Sequence, residues 1–503
     1  RQAGELPPSV FHVLGVEGRL GGAVEWETDR ARFLGRSRSP ARAIALDGRA
    51  LSGVTGAVLD PIAALRDRVR LAPGAAVRVT FATGVAVDRA AALALARKYR
   101  DGRVASRAFS MAFTHSRTTL HHLGLNDDQA MLFDRLASRL FAGDASCTSP
   151  VDMALNTLGQ AHLWGYSISG DLPIALVRIT DSAQLPLVRQ LLMAQEYWRV
   201  KGLQADLVIL NEHPIEYLDE TQGALSVLVQ ESRWAGWSHR PGGMYLLRAD
   251  GMSEADCHLL AAVARVVLPG DRGDLEGQLS HPAAWATWPE ETPGSPNLPA
   301  PEPAPTPIPV PDLVMENGTG GFTLDGQEYV IVLEGDRETP LPWSNVLANA
   351  EFGTMVSASG SAFTWHENSR ENRLTPFAND PLVDPSGEAI FLRDETSGAV
   401  WGATPSPLPR HKSSGRWVIR HRPGVTRYQH AIDDLEQELA VCVDPQKPIK
   451  VSVLTVTNHS TVARTLSVFG YVEWCLGPPR SDERRFVTTE LAADGRSIMA
   501  RNP

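Results

Sequence analysis

Hydrophobic and polar positions along this 503-residue chain change their period several times. Between residues 9 and 87 the period is two: VRVTFATGVAV (77–87) alternates and is rich in β-branched residues, and turns such as LAPG separate the segments. Helical spacing follows in DRAAALALARKYRDG (88–102) and DDQAMLFDRLASRLFAGD (127–144). From 172 to 268 strand and helix alternate three times. LPIALVRIT, ADLVILNE and GMYLLRAD read as strands, and DSAQLPLVRQLLMAQEYWRVKG, IEYLDETQGALSVLVQES and SEADCHLLAAVARVVLPG as the helices after them. Asp181 with Gln184, and Ser253 with Asp256, stand at capping-box spacing. This alternation predicts a small parallel sheet with right-handed crossovers.

Residues 312–503 return to short strands with turn residues between them: EYVIVL, RWVIRHR, ELAVCV, IKVSVLTVTN, RTLSVFGYVEW and RRFVTTEL. No long helical pattern interrupts them, which predicts a large antiparallel sandwich. Between the two regions lies PEETPGSPNLPAPEPAPTPIPVP, residues 289–311, with ten prolines. Its composition predicts a semi-rigid, extended spacer. The expected organisation is β-rich at 1–87, helical at 88–171, α/β at 172–288, linker at 289–311 and β-rich at 312–503.

One stretch fits no period. NSRENRLTPFANDP (368–381) surrounds one leucine and one phenylalanine with arginine, asparagine and carboxylate, so it reads as a loop. Function concentrates on such loops when a rigid scaffold carries them. PWSNVLANAEFG, SAFTWHENS and GAVWGATPSP bring Trp343, Trp365 and Trp401 near it in sequence. Aromatic platforms beside amides, carboxylates and guanidinium groups suit sugars, whose C–H faces stack and whose hydroxyls need donors and acceptors. A self-satisfied polar loop bracing a sandwich corner is the open alternative.

Composition narrows the classes. Hydrophobic content of 43% and charge of 21% are globular values, and no apolar run approaches the ~18 residues of a membrane span. A net charge of −10 without a Lys/Arg block speaks against nucleic acid as a partner. Cys147, Cys257, Cys442 and Cys475 are scattered, so neither a zinc site nor a disulfide framework is expected, and no cofactor. The opening RQAGELPPSVF lacks a signal-peptide core and an initiator Met, which suggests a piece of a longer protein.

Other candidates are weaker. GYSISGD (165–171) lacks the second glycine and preceding strand of a nucleophile elbow and reads as a turn. Asp181, Asn211, Glu212 and Asp250 fall at the carboxyl ends of the three strands, where open α/β sheets bind ligands, although Asp181 and Asp250 also stand where helix caps belong. No glycine-rich phosphate loop accompanies them. ENGTGGF (316–322) reads as a glycine turn opening a sandwich. His411, His421 and His430 match no metal spacing and read as surface histidines, so no metal is expected.

NGTGGFTLDGQEYVIVL, PLPWSNVLANAEFGTMVSASGSAFTWHENSRENRLTPFANDP and DPSGEAIFLRDETSGAVW resemble the N-terminal β-supersandwich of glycoside hydrolase family 94, which includes cellobiose and chitobiose phosphorylases. Within it the likeness is greatest to the large bacterial cyclic β-1,2-glucan synthases. DRARFLGR (29–36) and LSGVTGAVLDPIAALR (51–66) resemble closing strands of an earlier supersandwich copy, and HLWGYSISGDLPIALVRI with DLVILNE the region between copies. The resemblance therefore implies a multidomain α and β chain. An N-terminal β-sandwich remnant would precede a helical and parallel α/β connector and a C-terminal antiparallel β-supersandwich.

The resemblance also implies roles. In family 94 the general-acid aspartate and phosphate-binding residues sit in an (α/α)₆ barrel beyond the supersandwich, so this segment is expected to contact and scaffold rather than catalyse. The matching loop approaches the acceptor sugar, commonly across a dimer interface. That assigns carbohydrate contact to Asn368, Arg370, Arg373, Asn379 and Asp380, with Trp365 beside them. The implied partners are a β-1,2-glucan or other glucan, the parent's remaining domains and a second copy of the chain. The implied location is the cytoplasmic face of the bacterial inner membrane, through a membrane-anchored parent. A stand-alone carbohydrate-binding or assembly protein, or a nucleotide- or phosphate-binding regulatory α/β module, are the alternatives.

Overall fold

The computed structural model describes residues 8–17, 22–142, 144–214, 220–233, 235–280, 306–410, 414–478 and 486–502. The chain forms two compact units: residues 1–115 with 298–479, and residues 116–297 with 480–503.

The second unit is built on a parallel sheet. Its strands stand in the order Met244–Arg248, Asp206–Asn211, Ile174–Ile179, Val266–Pro269. Every residue of Asp206–Asn211 is buried, because helices cover both faces. Ala175, Val177 and Ile179 face a core shared with Leu187, Leu191 and Trp198 of helix Leu185–Val200 and Phe133 and Leu136 of helix Asp127–Ala142. The alternate residues Ile174 and Leu176 face Leu259 and Leu260 of helix Glu254–Val263. The fourth strand differs from the sequence expectation, which gave Val266–Pro269 to the last helix. That helix stops at Val263, where Ala264 turns extended (φ −61°, ψ 133°), and two valines then pair along the open side of Ile174–Ile179. A 22-residue helix, Gly102–Leu123, also lay unmarked between the two expected ones.

The first unit is antiparallel. A seven-stranded sheet runs in the order Lys450–Asn458, Leu435–Val443, Val425–Ile432, Arg416–Arg422, Tyr329–Glu334, Gly320–Thr323, Leu313–Val314. Two three-stranded sheets pack with it: Ser344–Ala348, Phe352–Ser357, Ala362–His366, and Val400–Gly402, Glu388–Asp394, Leu466–Val472. Ile331, Val356, Leu392, Trp401, Trp417 and Tyr428 form the core between them.

Residues from the other side of the proline tract belong to the same unit. Strands Ser9–Glu17 and Arg78–Ala86 pair, and helix Arg89–Tyr99, capped by Asp88, packs on them. Glu25–Asp29 pairs with Pro61–Arg66. DRARFLGR, compared above with a closing strand, contains a short helix instead, Arg30–Leu34, because the Asp29 carboxylate accepts from the Ala31 amide and starts a turn. Leu34 and Ala43 bury against Leu382. Of the proline tract, residues 289–305 lie outside the described residues, while Ile308 is buried against Val330 and Val418.

Of two histidines read as surface residues, His430 is buried and His421 half-buried. His430 stacks on Trp417 at 4.1 Å and its Nδ1 hydrogen-bonds with the Arg416 carbonyl, while His421 hydrogen-bonds with Thr426. Both stand on the inward-facing side of paired strands, a consequence of pairing register that the local sequence does not state. His411 lies outside the described residues. Among the described residues no group of side chains could hold a metal ion, and no helix is long and apolar enough to cross a membrane.

Candidate functional site

The loop 368–381 carries no helix or strand of its own. Its first half is held by its own backbone. Asn368 Oδ1 accepts from the Arg370 and Glu371 amides at 2.9 and 3.0 Å. Arg373 pairs its backbone with Trp365 on one side and Gly477 on the other, donates to the Ser369 and Phe377 carbonyls, and lays its guanidinium over the Phe363 ring. Arg370 points outward, its side chain 80% exposed and 3.1 Å from Glu371.

The second half is held by a residue far away in the chain. Arg30 forks onto Asp380 with bonds of 3.1 and 2.7 Å. Asp380 Oδ1 also accepts from the Leu382 and Val383 amides. The Arg30 bonds come first among the causes that hold the Asp380 carboxyl down at about 2. Arg36 adds bonds to the Leu382 and Thr339 carbonyls. Asn379 adopts a left-handed conformation, φ 49°.

A cavity of 320 Å³ opens beside this second half. Phe363 and Phe377 form part of its wall, stacked at 4.7 Å, and Asn379, Asp380, Ser361 and Asp384 supply polar atoms. Burial pushes the Asp384 carboxyl up, against a hydrogen bond from Ser357. Among the described residues the Asn379 side chain makes no hydrogen bond, so its amide is available to a ligand. Phe363 and Trp365 share one face of strand Ala362–His366, and the Trp365 indole lies against Gly353, where a Cβ would stand 2.3 Å from the ring. The arrangement can offer an aromatic wall with amide, hydroxyl and carboxylate groups to a neutral polar ligand.

Of the residues picked from sequence, Asn379 and Asp380 line the cavity, while Asn368, Arg370, Arg373 and Trp365 do not. Trp401 is buried and donates to Gln437, and Trp343 packs on Tyr329. Arg30, Phe363 and Phe377 were not picked. The alternation in SAFTW marked Phe363 as facing with Trp365, but nothing local marked Arg30.

The comparisons with known proteins meet this geometry. The description "Glycosyl hydrolase 94, supersandwich domain" matches residues 1–102 and 327–503, more than half of the chain. The chain belongs to this family. It is 37% identical over 95% of its length to the cyclic beta-(1,2)-glucan synthase NdvB of Rhizobium meliloti (strain 1021). It is 26% identical over 33% of its length to the N,N'-diacetylchitobiose phosphorylase of Vibrio proteolyticus, and 25% over 37% to the solabiose phosphorylase of Paenibacillus borealis. The matches cover 17%, 20% and 24% of those proteins, so the chain spans a quarter of their length or less. The family places the chain among carbohydrate-related proteins, and residues 103–326 stand between its two matched stretches.

The residues picked at the parallel sheet have local partners. Asp181 accepts from the Ala183 amide, Asp250 is paired with Arg248, and the Asn211 amide is held between Gln222 and the His213 backbone.

Proposed function

We propose that this chain is a glucan-contacting and scaffolding segment of a cyclic β-1,2-glucan synthase, working with the other domains of that longer, membrane-anchored protein. The identity to NdvB along nearly the whole chain supports the parent. The observation that carries the contact role is the cavity at the loop: a stacked phenylalanine pair facing an Asn379 amide with no protein partner among the described residues. In this reading Asn379 hydrogen-bonds a sugar hydroxyl and exposed Arg370 reaches the same glucan from outside. Asn368, Arg373 and Asp380 hold the loop in place.

The test is Asn379→Ala in the full-length synthase, with acceptor kinetics and melting temperature measured on one preparation. Loss of one neutral hydrogen bond of about 1 kcal/mol should weaken acceptor use roughly fivefold with the melting temperature nearly unchanged. A lower melting temperature with unaltered acceptor kinetics would leave the loop as a brace and sink the contact role.

A further inference from the structure

The second unit has a cavity of its own, 350 Å³, at the carboxyl end of the parallel sheet. Alternate strand residues share a face, so Leu176 and Arg178 project from one strand beside Leu210 and Glu212 from its neighbour. The leucines form an apolar floor with Ala261. Above them runs a line of polar groups. Arg178 Nε and Nη2 both lie on Glu212 Oε1, at 2.8 and 2.7 Å. Arg178 Nη1 is 3.9 Å from Asp152 Oδ2, and Asp152 Oδ1 is 2.6 Å from His258 Nδ1. Asp152 comes from helix Pro150–Leu155 and His258 from helix Glu254–Val263, so two strands and two helices converge. Only Glu212, among the residues placed by sequence at this sheet end, faces the cavity.

Charge excludes two ligand classes. Arg178 stands between two carboxylates, with Glu254 at the rim, so a phosphate would meet more negative than positive charge. A cation would find the two inner carboxylates already engaged, Glu212 by the Arg178 guanidinium and Asp152 by the His258 ring. What fits is a neutral molecule that donates and accepts in alternation. The 3.9 Å gap between Arg178 Nη1 and Asp152 Oδ2 is too wide for a direct hydrogen bond, and one hydroxyl can accept from the first and donate to the second. We propose that this cavity is a binding site for a neutral polyol of the size of one or two sugar rings, oriented by Asp152, Arg178, Glu212 and His258 over the Leu176–Leu210 floor. The volume is at the small end of ligand sites. This site is separate from the loop cavity and does not depend on it.

Cys257 lines the cavity and is half-buried, as is Cys442 in the other unit, which gives a reporter and a control. The 503-residue chain is labelled with N-ethylmaleimide alone or with glucose, sophorose or myo-inositol, and each cysteine is followed by peptide mass spectrometry. A ligand at ten times its dissociation constant should slow Cys257 labelling roughly tenfold and leave Cys442 unchanged. Inorganic phosphate and putrescine should protect neither. Saturation-transfer NMR of the same sugars, recorded in an Asn379→Ala background that weakens the loop cavity, should give a signal that Glu212→Gln removes. Protection by phosphate or putrescine, a signal unaltered by Glu212→Gln, or no signal with any of the three polyols would overturn the proposal.

Discussion

Asp380 shows how much a single carboxylate of the loop depends on a partner 350 residues away. Its carboxyl is held at about 2 against an ordinary value of 3.8, first by the Arg30 bonds. A folded pKa below the unfolded one contributes stability that is present above the unfolded value and lost as pH falls toward the folded one. The shift corresponds to about 2 kcal/mol at neutral pH, lost between pH 4 and 2. Arg30→Ala should therefore remove part of this from the urea-unfolding free energy of the first unit at pH 7, since the Leu382 and Val383 amide bonds remain, and should lose the Arg30–Asp60 bond as well. The difference from wild type should shrink as pH approaches 2. An equal difference at both pH values would assign the effect to packing of the arginine stem instead. The polar loop was legible in its composition. Its anchor was not, because an ion pair between distant residues leaves no local period or motif.

At the scale of elements, caps and periodicity carried well where partners are sequence neighbours. Ser253 accepts from the Asp256 amide at 3.1 Å, as the Ser–x–x–Asp spacing implied. Ser253→Ala should cost about 1 kcal/mol. Since that helix also carries Cys257 and His258, the same substitution should speed Cys257 labelling while Cys442 is unaffected. Unchanged labelling with lowered stability would confine the cap's effect to the end of the helix. The fourth parallel strand was hidden because its valines continue an apolar run without a glycine or proline break. Such a run is compatible with helix and strand alike, and the open side of Ile174–Ile179 decides between them.

Across the whole molecule the two units should answer acid in opposite senses. Burial pushes His421 and His430 down to about 4 from 6.5. They therefore contribute stability to the first unit above pH 6.5 that is lost as pH falls toward 4. In the second unit burial pushes Asp206 up to about 6, and among the described residues its Oδ2 has no hydrogen-bond partner. An acid raised this way stabilises below its unfolded value, and that stability is lost as pH rises from 3.8 to 6. Calorimetry at pH 7.5 and 5 should show the first unit's transition moving down on acidification and the second's moving up. Asp206→Asn should abolish the second shift and stabilise that unit at pH 7 by about 3 kcal/mol. Two transitions moving together, with Asp206→Asn neutral, would contradict this assignment.

What the chain by itself determined were the features written in neighbouring residues: the change of hydrophobic period from antiparallel β to helix to α/β and back, the caps at Asp181 and Ser253, and the supersandwich motifs around residues 317–401. These follow from steric and hydrogen-bonding preferences acting over a few residues. Tertiary structure alone decided that residues on both sides of the proline tract build one unit, that Arg30 anchors Asp380, that His421 and His430 face inward, and that Asp152, Arg178, Glu212 and His258 converge. Each of these is a contact between distant residues, selected by burial and charge compensation in the folded chain, where no local preference favours it.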